Sequence, residues 1–466
     1  MWSKNLLIVV LVLIATTVSA QVIKSQAAFR MLQTANTLLE AKQFEAAEEY
    51  YRSGLFKAIQ NKDSYCEAFA NEGLGNLFTK LEQPDSAIWH YQVAVKLYKN
   101  QKLTVIATLV ESLLKSVQGI GDLYAGIEIG AKGIKLSVID VKLSKDREYG
   151  YTLKLDTAIN TDAASLSYQS EKETSDAVAI LLDIINSRFK IPANKIYVVV
   201  SSGLRQELDK YNKLEYFESI IRPKGMDVAI KITSITPEQE AELSVLGIIP
   251  QRHRFTAGQL DIGSGNTKGG YFTANKIFEP ITFSLGTKSF QRLVESTAKG
   301  DVNDFATMAE KLWNDSLSKY AIREFVSKRE IKLKDMLYLS GGIVWAIVSL
   351  QHPEKINDNY VEITPSEIAT FKKEIVQNYD KLTHPDLTII PSPEDVKAAG
   401  KNIGRVLKTF DQKAMVAGAI WLNHLMQEIT TINPAKKIIY PKYGYVGWIS
   451  GYIIKKVTQQ YVGLVK

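Results

Sequence analysis

Gln259-Leu260-Asp261-Ile262-Gly263-Ser264-Gly265-Asn266-Thr267-Lys268 is the stretch around which the chain is organised. An apolar run delivers a carboxylate, Asp261, to its end. Two glycines then free the backbone to turn with several N–H groups facing one way, as an anionic oxygen requires. A strand ending in Gly-x-Gly is also an ordinary hairpin turn, so the weight falls on what recurs elsewhere.

The device recurs upstream. Leu123-Tyr124-Ala125-Gly126-Ile127-Glu128-Ile129 reads as a buried strand, Gly130-Ala131-Lys132-Gly133 as its turn, and residues 134–140 as a returning strand. In the later copy Gly269-Gly270-Tyr271-Phe272 begins the return. Two copies of strand, carboxylate, glycine turn and strand predict a duplicated α/β fold. Its hairpin loops would face each other across a cleft and hold a phosphate chain from both sides. A third glycine turn, Ser340-Gly341-Gly342, runs from an apolar strand into the apolar stretch 343–350. A helix starting there offers free N–H groups and a positive dipole end to a phosphate or a nucleoside.

Between the first two turns lies Thr236-Pro237-Glu238-Gln239-Glu240-Ala241-Glu242-Leu243. Thr236 with Gln239 forms a capping box and Pro237 takes the first helical position, so a helix begins here. Glu238 and Glu242 share a face suited to solvent. Glu240 lies in line with Leu243 and Gly247, on the side that faces the protein body. Its role is a general base that takes a proton from a water attacking phosphorus, or a buried carboxylate paired with an arginine such as Arg205.

Composition bounds the rest. The 466 residues suffice for two or three cored domains. The net charge of +7 favours an anionic partner, but the Lys and Arg are scattered, which gives nucleic acid little support. A single cysteine, Cys66, rules out an internal disulfide framework and a Cys-based metal site, and the five histidines show no zinc spacing.

Residues 1–20 carry Lys4, an apolar run at 6–14 and Val18-Ser19-Ala20, the order of a cleaved export signal. The run is too short to span a membrane. The expectation is therefore an exported protein, periplasmic or extracellular, with no transmembrane span after cleavage.

Residues 21–120 read as a helical array. Ala35, Phe44, Ala47, Tyr51 and Gly54 recur as Gly75, Pro84, Ala87, Tyr91 and Ala94, 40 residues on. Small residues let helices approach, and the aromatic four residues after the alanine fills the adjacent groove. The pattern resembles a lengthened tetratricopeptide repeat. It serves as a docking surface for a protein partner or as a structural collar.

Taken together, Gly126-Ile127-Glu128-Ile129-Gly130, Ser201-Ser202-Gly203-Leu204-Arg205, 235–243, Asp261 to Thr267, 283–287 and Ser340-Gly341-Gly342 resemble the exopolyphosphatase and guanosine pentaphosphate phosphohydrolase family. That family lies within the actin-like ATPase superfamily, and the similarity covers roughly 121–430. The resemblance implies two actin-like, ribonuclease H-like lobes, at 121–255 and 256–430, with an aromatic extension at 431–466. It implies Mg²⁺ held by Glu128 and Asp261, and hydrolysis of a terminal phosphoryl group of polyphosphate or a nucleotide polyphosphate with Glu240 and Arg205 in the catalytic roles. Phosphate binding would fall to Gly130, Ala131, Lys132, Gly133, Gly263, Ser264, Gly265, Asn266, Thr267, Gly341 and Gly342.

Three positions depart from the family pattern. Glu128 replaces the usual Asp, Lys132 the usual Asn or Ser, and Gln239 the first Glu of the helix pair. Phosphate binding survives these changes more readily than Mg²⁺ chemistry does. A non-catalytic phosphate-ligand sensor or scaffold of the same fold is therefore the alternative. Secreted apyrases, which share Ser202-Gly203-Leu204-Arg205 in similar form, are a further one; Ala241 favours the polyphosphate relative. The aromatic segment Tyr440-Pro441-Lys442-Tyr443-Gly444-Tyr445-Val446-Gly447-Trp448 packs a terminal strand, or stacks on a base or sugar.

Overall fold

The structure, a computed structural model, describes residues 23–143 and 148–462, so the export-signal expectation for 1–20 lies outside the described residues. The chain divides into two compact units. The first holds α1 (Gln26–Glu40), α2 (Phe44–Gln60), α3 (Ser64–Lys80), α4 (Pro84–Asn100) and α5 (Thr104–Val117). Successive helices are closed by the same device. Gln43, Asp63, Gln83 and Leu103 each donate their N–H to the carbonyl five residues back, at 2.9 Å. The residue before each of them, Lys42, Lys62, Glu82 and Lys102, takes a left-handed φ of 51–60°, the helix-ending turn that satisfies orphan carbonyls.

These turns fall every 20 residues, so a helix pair spans the 40 residues of the sequence repeat. Ala47, Tyr51, Ala87 and Tyr91 are buried, and a Cβ added to Gly75 would stand 2.6 Å from the Tyr91 ring. Each tyrosine hydroxyl finds the asparagine at the matching place in its own repeat. Tyr51 donates to Asn36, and Tyr91 donates to Asn76 at 2.9 Å.

The second unit carries two sheets. The first comprises β1 (Asp122–Gly130), β2 (Gly133–Leu143), β3 (Tyr149–Asn160), β4 (Ile196–Val200) and β5 (Ile232–Ser234), in the order β3-β2-β1-β4-β5. The second comprises β6 (Ala257–Ile262), β7 (Thr267–Phe272), β8 (Phe278–Phe283), β9 (Met336–Gly341), β10 (Tyr360–Ile363) and β11 (Lys437–Pro441), in the order β10-β11-β9-β6-β7-β8. In each sheet the hairpin-bearing strand has a parallel neighbour on its other side, β4 beside β1 and β9 beside β6. Removing the edge strand β10 leaves the same order twice. The protein is thus built from two lobes of one repeated topology, as the duplicated turns led us to expect, in the ribonuclease H-like, actin-like form that the resemblance implied.

Residues 384–393 form a proline-marked connection, and the closing helices of lobe II are two, Pro393–Thr409 and Gln412–Thr430. Of the segment 431–466, read as an extension, the described residues 431–462 contribute to both lobes. β11 pairs with β9 in lobe II. The helix Gly447–Val462 instead returns to lobe I, where Trp448 and Ile449 join Val199, Ile235 and Leu243 in one apolar cluster. Glycines make that packing possible. A Cβ on Gly451 would lie 1.8 Å from the Leu243 carbonyl oxygen, and one on Gly247 would lie 2.0 Å from that of Gly447. The two helices therefore touch backbone to backbone. No helix among the described residues is long and apolar enough to cross a membrane.

Candidate functional site: a cleft with internal cations

The helix Pro237–Ile248 starts as its sequence demands. Thr236 accepts from the Gln239 N–H at 3.2 Å, and the Gln239 side chain accepts from the Thr236 N–H at 2.9 Å. Gln239 is thus the capping-box residue of this helix, a role that Glu fills equally well. Glu238 stays exposed, whereas Glu242 is half-buried and bonds Lys455 of the tail helix at 3.0 Å, so the face expected to be solvated is partly covered.

Glu240 points inward, only 3 % exposed. One of its oxygens accepts from the Ser202 backbone N–H at 3.0 Å, at the start of the helix Ser202–Lys210. The other is bonded by the ammonium of Lys268. Burial alone would raise the Glu240 pKa, but the Lys268 charge and the bonds from Lys268 and Ser202 outweigh it and hold the carboxyl below its ordinary value. Arg205 is not the partner that sequence suggested. Its side chain pairs with Asp209 at 3.5 Å along its own helix.

Glu128 and Asp261 approach the same place from the two hairpins, each feeling the charges of Glu240, Lys268 and Lys135. Burial pushes both carboxyls above their ordinary values. Glu128 has Lys135 at 3.6 Å. Asp261 accepts from the Ser340 hydroxyl at 2.8 Å. It also faces Lys268 directly across the β6–β7 ladder, so the two side chains leave the same face of the sheet. Lys268 is itself held above its usual range: burial disfavours its charge, but Glu240, Asp261 and Glu128 more than compensate.

The expected Mg²⁺ can be tested against this arrangement. A divalent ion needs hard oxygen donors able to converge on it, and here ammonium groups already meet the carboxylates. Among the described residues, no three His, Cys, Asp or Glu side chains gather closely enough to hold a metal ion. Mg²⁺ needs only one or two of them, but with Lys135 on Glu128, and Lys268 on Glu240 and facing Asp261, the carboxylates already have their counter-charge and do not fit Mg²⁺.

Beside this cluster opens a cavity of about 600 Å³. Its lining includes Lys135 and Asp156 from lobe I, Ser264 of the second turn, and Gly341 and Gly342 of the third. Gly341 has a φ of +103°, and a Cβ there would stand 2.2 Å from the Ile262 carbonyl oxygen, so only glycine serves. Trp345, Phe410, Tyr440 and Tyr445 supply aromatic walls, and Lys355, Arg405 and Lys442 add positive charge.

The second turn is braced from behind. The N–H groups of Thr287, Lys288 and Ser289 occupy the carbonyls of Gly263 and Ser264. The Gly263 N–H is spent on the Asn266 carbonyl. The Ser264 and Gly265 positions remain exposed. Thr267, expected to bind phosphate, is instead structural: its hydroxyl donates to the Leu285 carbonyl and accepts from Trp421.

The first turn does not reach the cavity. Gly130, Ala131, Lys132 and Gly133 are absent from its lining, and Lys132 is turned to Asp162 at 2.6 Å. What lobe I contributes is Lys135, farther along β2. Sequence reasoning missed Lys135 and Lys268, although hairpin arithmetic could have found the latter: a turn at 263–266 sets position 268 opposite 261.

No family model matches the chain, and no curated protein matches it. Among solved structures it is similar to a Ppx/GppA family member from Aquifex aeolicus, with 18 % identity, 73 % of this chain and 98 % of that one covered, and a TM-score of 0.49. An exopolyphosphatase from Cytophaga hutchinsonii shows 14 % identity over 73 % of this chain and 98 % of its own, with a TM-score of 0.46. The ethanolamine utilization protein EutJ from Carboxydothermus hydrogenoformans shows 13 % identity over 72 % and 93 %, with a TM-score of 0.30.

Proposed function

We propose that this protein binds a phosphorylated ligand in the cleft of an actin-like fold and acts as a sensor or scaffold, without turning the ligand over efficiently. One observation carries the reading: the second and third glycine turns and Lys135 line a single cavity with aromatic walls, in which Lys135, Lys355, Arg405 and Lys442 outnumber Asp156 and Asp358. Cations attract phosphate oxygens, and rings stack on a base or sugar. A nucleoside polyphosphate meets both requirements, and a bare polyphosphate chain meets the first.

The case against efficient hydrolysis is the state of Glu240. A general base must reach the proton it takes, and Glu240 is 3 % exposed, bonded by Lys268 and Ser202, and absent from the lining of the cavity. The second reading is an exported phosphoanhydride hydrolase related to exopolyphosphatases, or an apyrase-like one. It is favoured by the order of the motifs and by a Glu240 carboxyl that stays ionised. We assign export on the signal order of residues 1–20.

We assign the array a docking role. The first unit has a groove of about 740 Å³ lined by Asn36, Asn76, Glu40, Glu72, Glu82 and Lys80, among others. Three acids against one lysine suit an extended peptide bearing Lys or Arg.

The deciding experiment titrates the purified protein with GTP, ATP and tripolyphosphate by calorimetry and follows phosphate release in the same samples. Binding that weakens in Arg405→Ala and Gly265→Asp, with release at background, supports the proposal. Release that disappears in Glu240→Gln replaces it with the hydrolase reading, and absence of binding to all three ligands removes both.

A further inference from the structure

We infer that Lys135 and Lys268 stand beside the cleft carboxylates in place of a divalent cation, so that a phosphate ligand meets the Lys135 ammonium there and no metal. The metal half of this inference is independent of the proposed function; the ligand half rests on it.

The observation is a symmetry. In the first hairpin the carboxylate Glu128 is followed seven residues later by Lys135, and in the second Asp261 is followed seven residues later by Lys268. Each lobe thus brings its own cation to its own carboxylate. The first pair stands 3.6 Å apart, and the second faces across a ladder rung. The pairs differ in depth. The Lys268 side chain is 22 % exposed and is spent on Glu240, behind the cavity. The Lys135 side chain is 48 % exposed and lines the cavity with Ser264 and Gly341.

An ammonium carries three donors, so Lys135 can keep Glu128 and still offer hydrogens to a ligand oxygen. This reproduces the bridging a metal gives between carboxylate and phosphate, without demanding octahedral geometry. The remaining carboxylate bonds come from the Ser340 hydroxyl and the Ser202 N–H. Removing the Lys268 ammonium would leave Glu240 and Asp261 without the cation they share, and uncompensated carboxylate charge favours a divalent ion.

Mn²⁺ serves as the probe, counted by electron paramagnetic resonance on the full chain without any turnover. The wild type is expected to bind no stoichiometric Mn²⁺ up to roughly millimolar concentrations, and Lys268→Met to gain one site at least about tenfold tighter. Tripolyphosphate binding should be unchanged by a chelator and fall about tenfold in Lys135→Met. A wild-type Mn²⁺ site lost in Asp261→Asn would overturn the inference, and that comparison decides the matter even if Lys268→Met fails to fold. A wild type that binds neither Mn²⁺ nor tripolyphosphate would uphold the metal half and discard the phosphate reading.

Discussion

Lys268 and Glu240 come from different lobes, yet the ammonium of one is bonded to the carboxylate of the other, and both are largely withdrawn from water. The pair ties the helix Pro237–Ile248 to strand β7.

Breaking that pair from one side leaves a buried charge alone. Glu240→Gln is expected to cost about 3 kcal/mol, and Glu240→Gln with Lys268→Met to recover most of it. Urea denaturation of the two variants against wild type measures both. Equal losses in the single and double variants would show that the ion pair does not set the cost.

Backbone contact between the tail helix and the Glu240 helix makes Gly451 and Gly247 intolerant of a methyl group. Gly451→Ala should destabilise by about 1–3 kcal/mol through overpacking. Gly404, within the helix Pro393–Thr409, has open space around its Cβ position. Gly404→Ala should therefore stabilise by up to about 1 kcal/mol. Thermal unfolding of the two variants should move in opposite directions.

His90 gives the array a pH dependence. Burial, aided by the Arg52 charge, lowers its pKa to about 4, and its Nδ1 lies 2.9 Å from Asn71 Oδ1. Below the ordinary value of 6.5 the unfolded chain takes up a proton that the folded chain refuses until about pH 4. Stability therefore falls as pH drops through that window and is flat on either side. His90→Gln should remove this dependence from the hydrogen exchange of α4. An unchanged profile in the variant would assign the dependence to other groups.

The tyrosine–asparagine bonds in the two repeats offer a matched pair. Tyr51→Phe and Tyr91→Phe should each cost about 1 kcal/mol through the lost bond to asparagine, with Tyr91 also losing its 3.3 Å contact to the Thr79 hydroxyl. Similar values from urea denaturation would show that the two repeats are energetically alike.

What was legible in the sequence was local. The capped helix start at Thr236, the inward face of Glu240, the 40-residue cadence and both hairpins follow from spacing and turn chemistry, which act within a few residues. What was not legible was the choice of partner. Glu240 could be seen to need a cation, but whether Arg205 or Lys268 supplied it depends on how β7 faces the helix, a matter of tertiary packing. The absence of the first turn from the cavity lining was hidden for a similar reason, because a glycine turn does not reveal which way its amides face. The division of the described residues 431–462 between the lobes was hidden because their packing partners lie far away in the chain.

That distance has a consequence for biosynthesis. The helix Gly447–Val462 completes the core beside the helix Pro237–Ile248, about two hundred residues after it in the chain. As the polypeptide emerges from the ribosome, lobe I must wait with Val199, Ile235 and Leu243 incompletely covered until all of lobe II has been made. Contacts of such long sequence separation form late and leave sticky intermediates exposed meanwhile. Nascent chains halted before residue 447 should therefore engage chaperones and yield to protease in lobe I, while the helical array, closed by local contacts, resists.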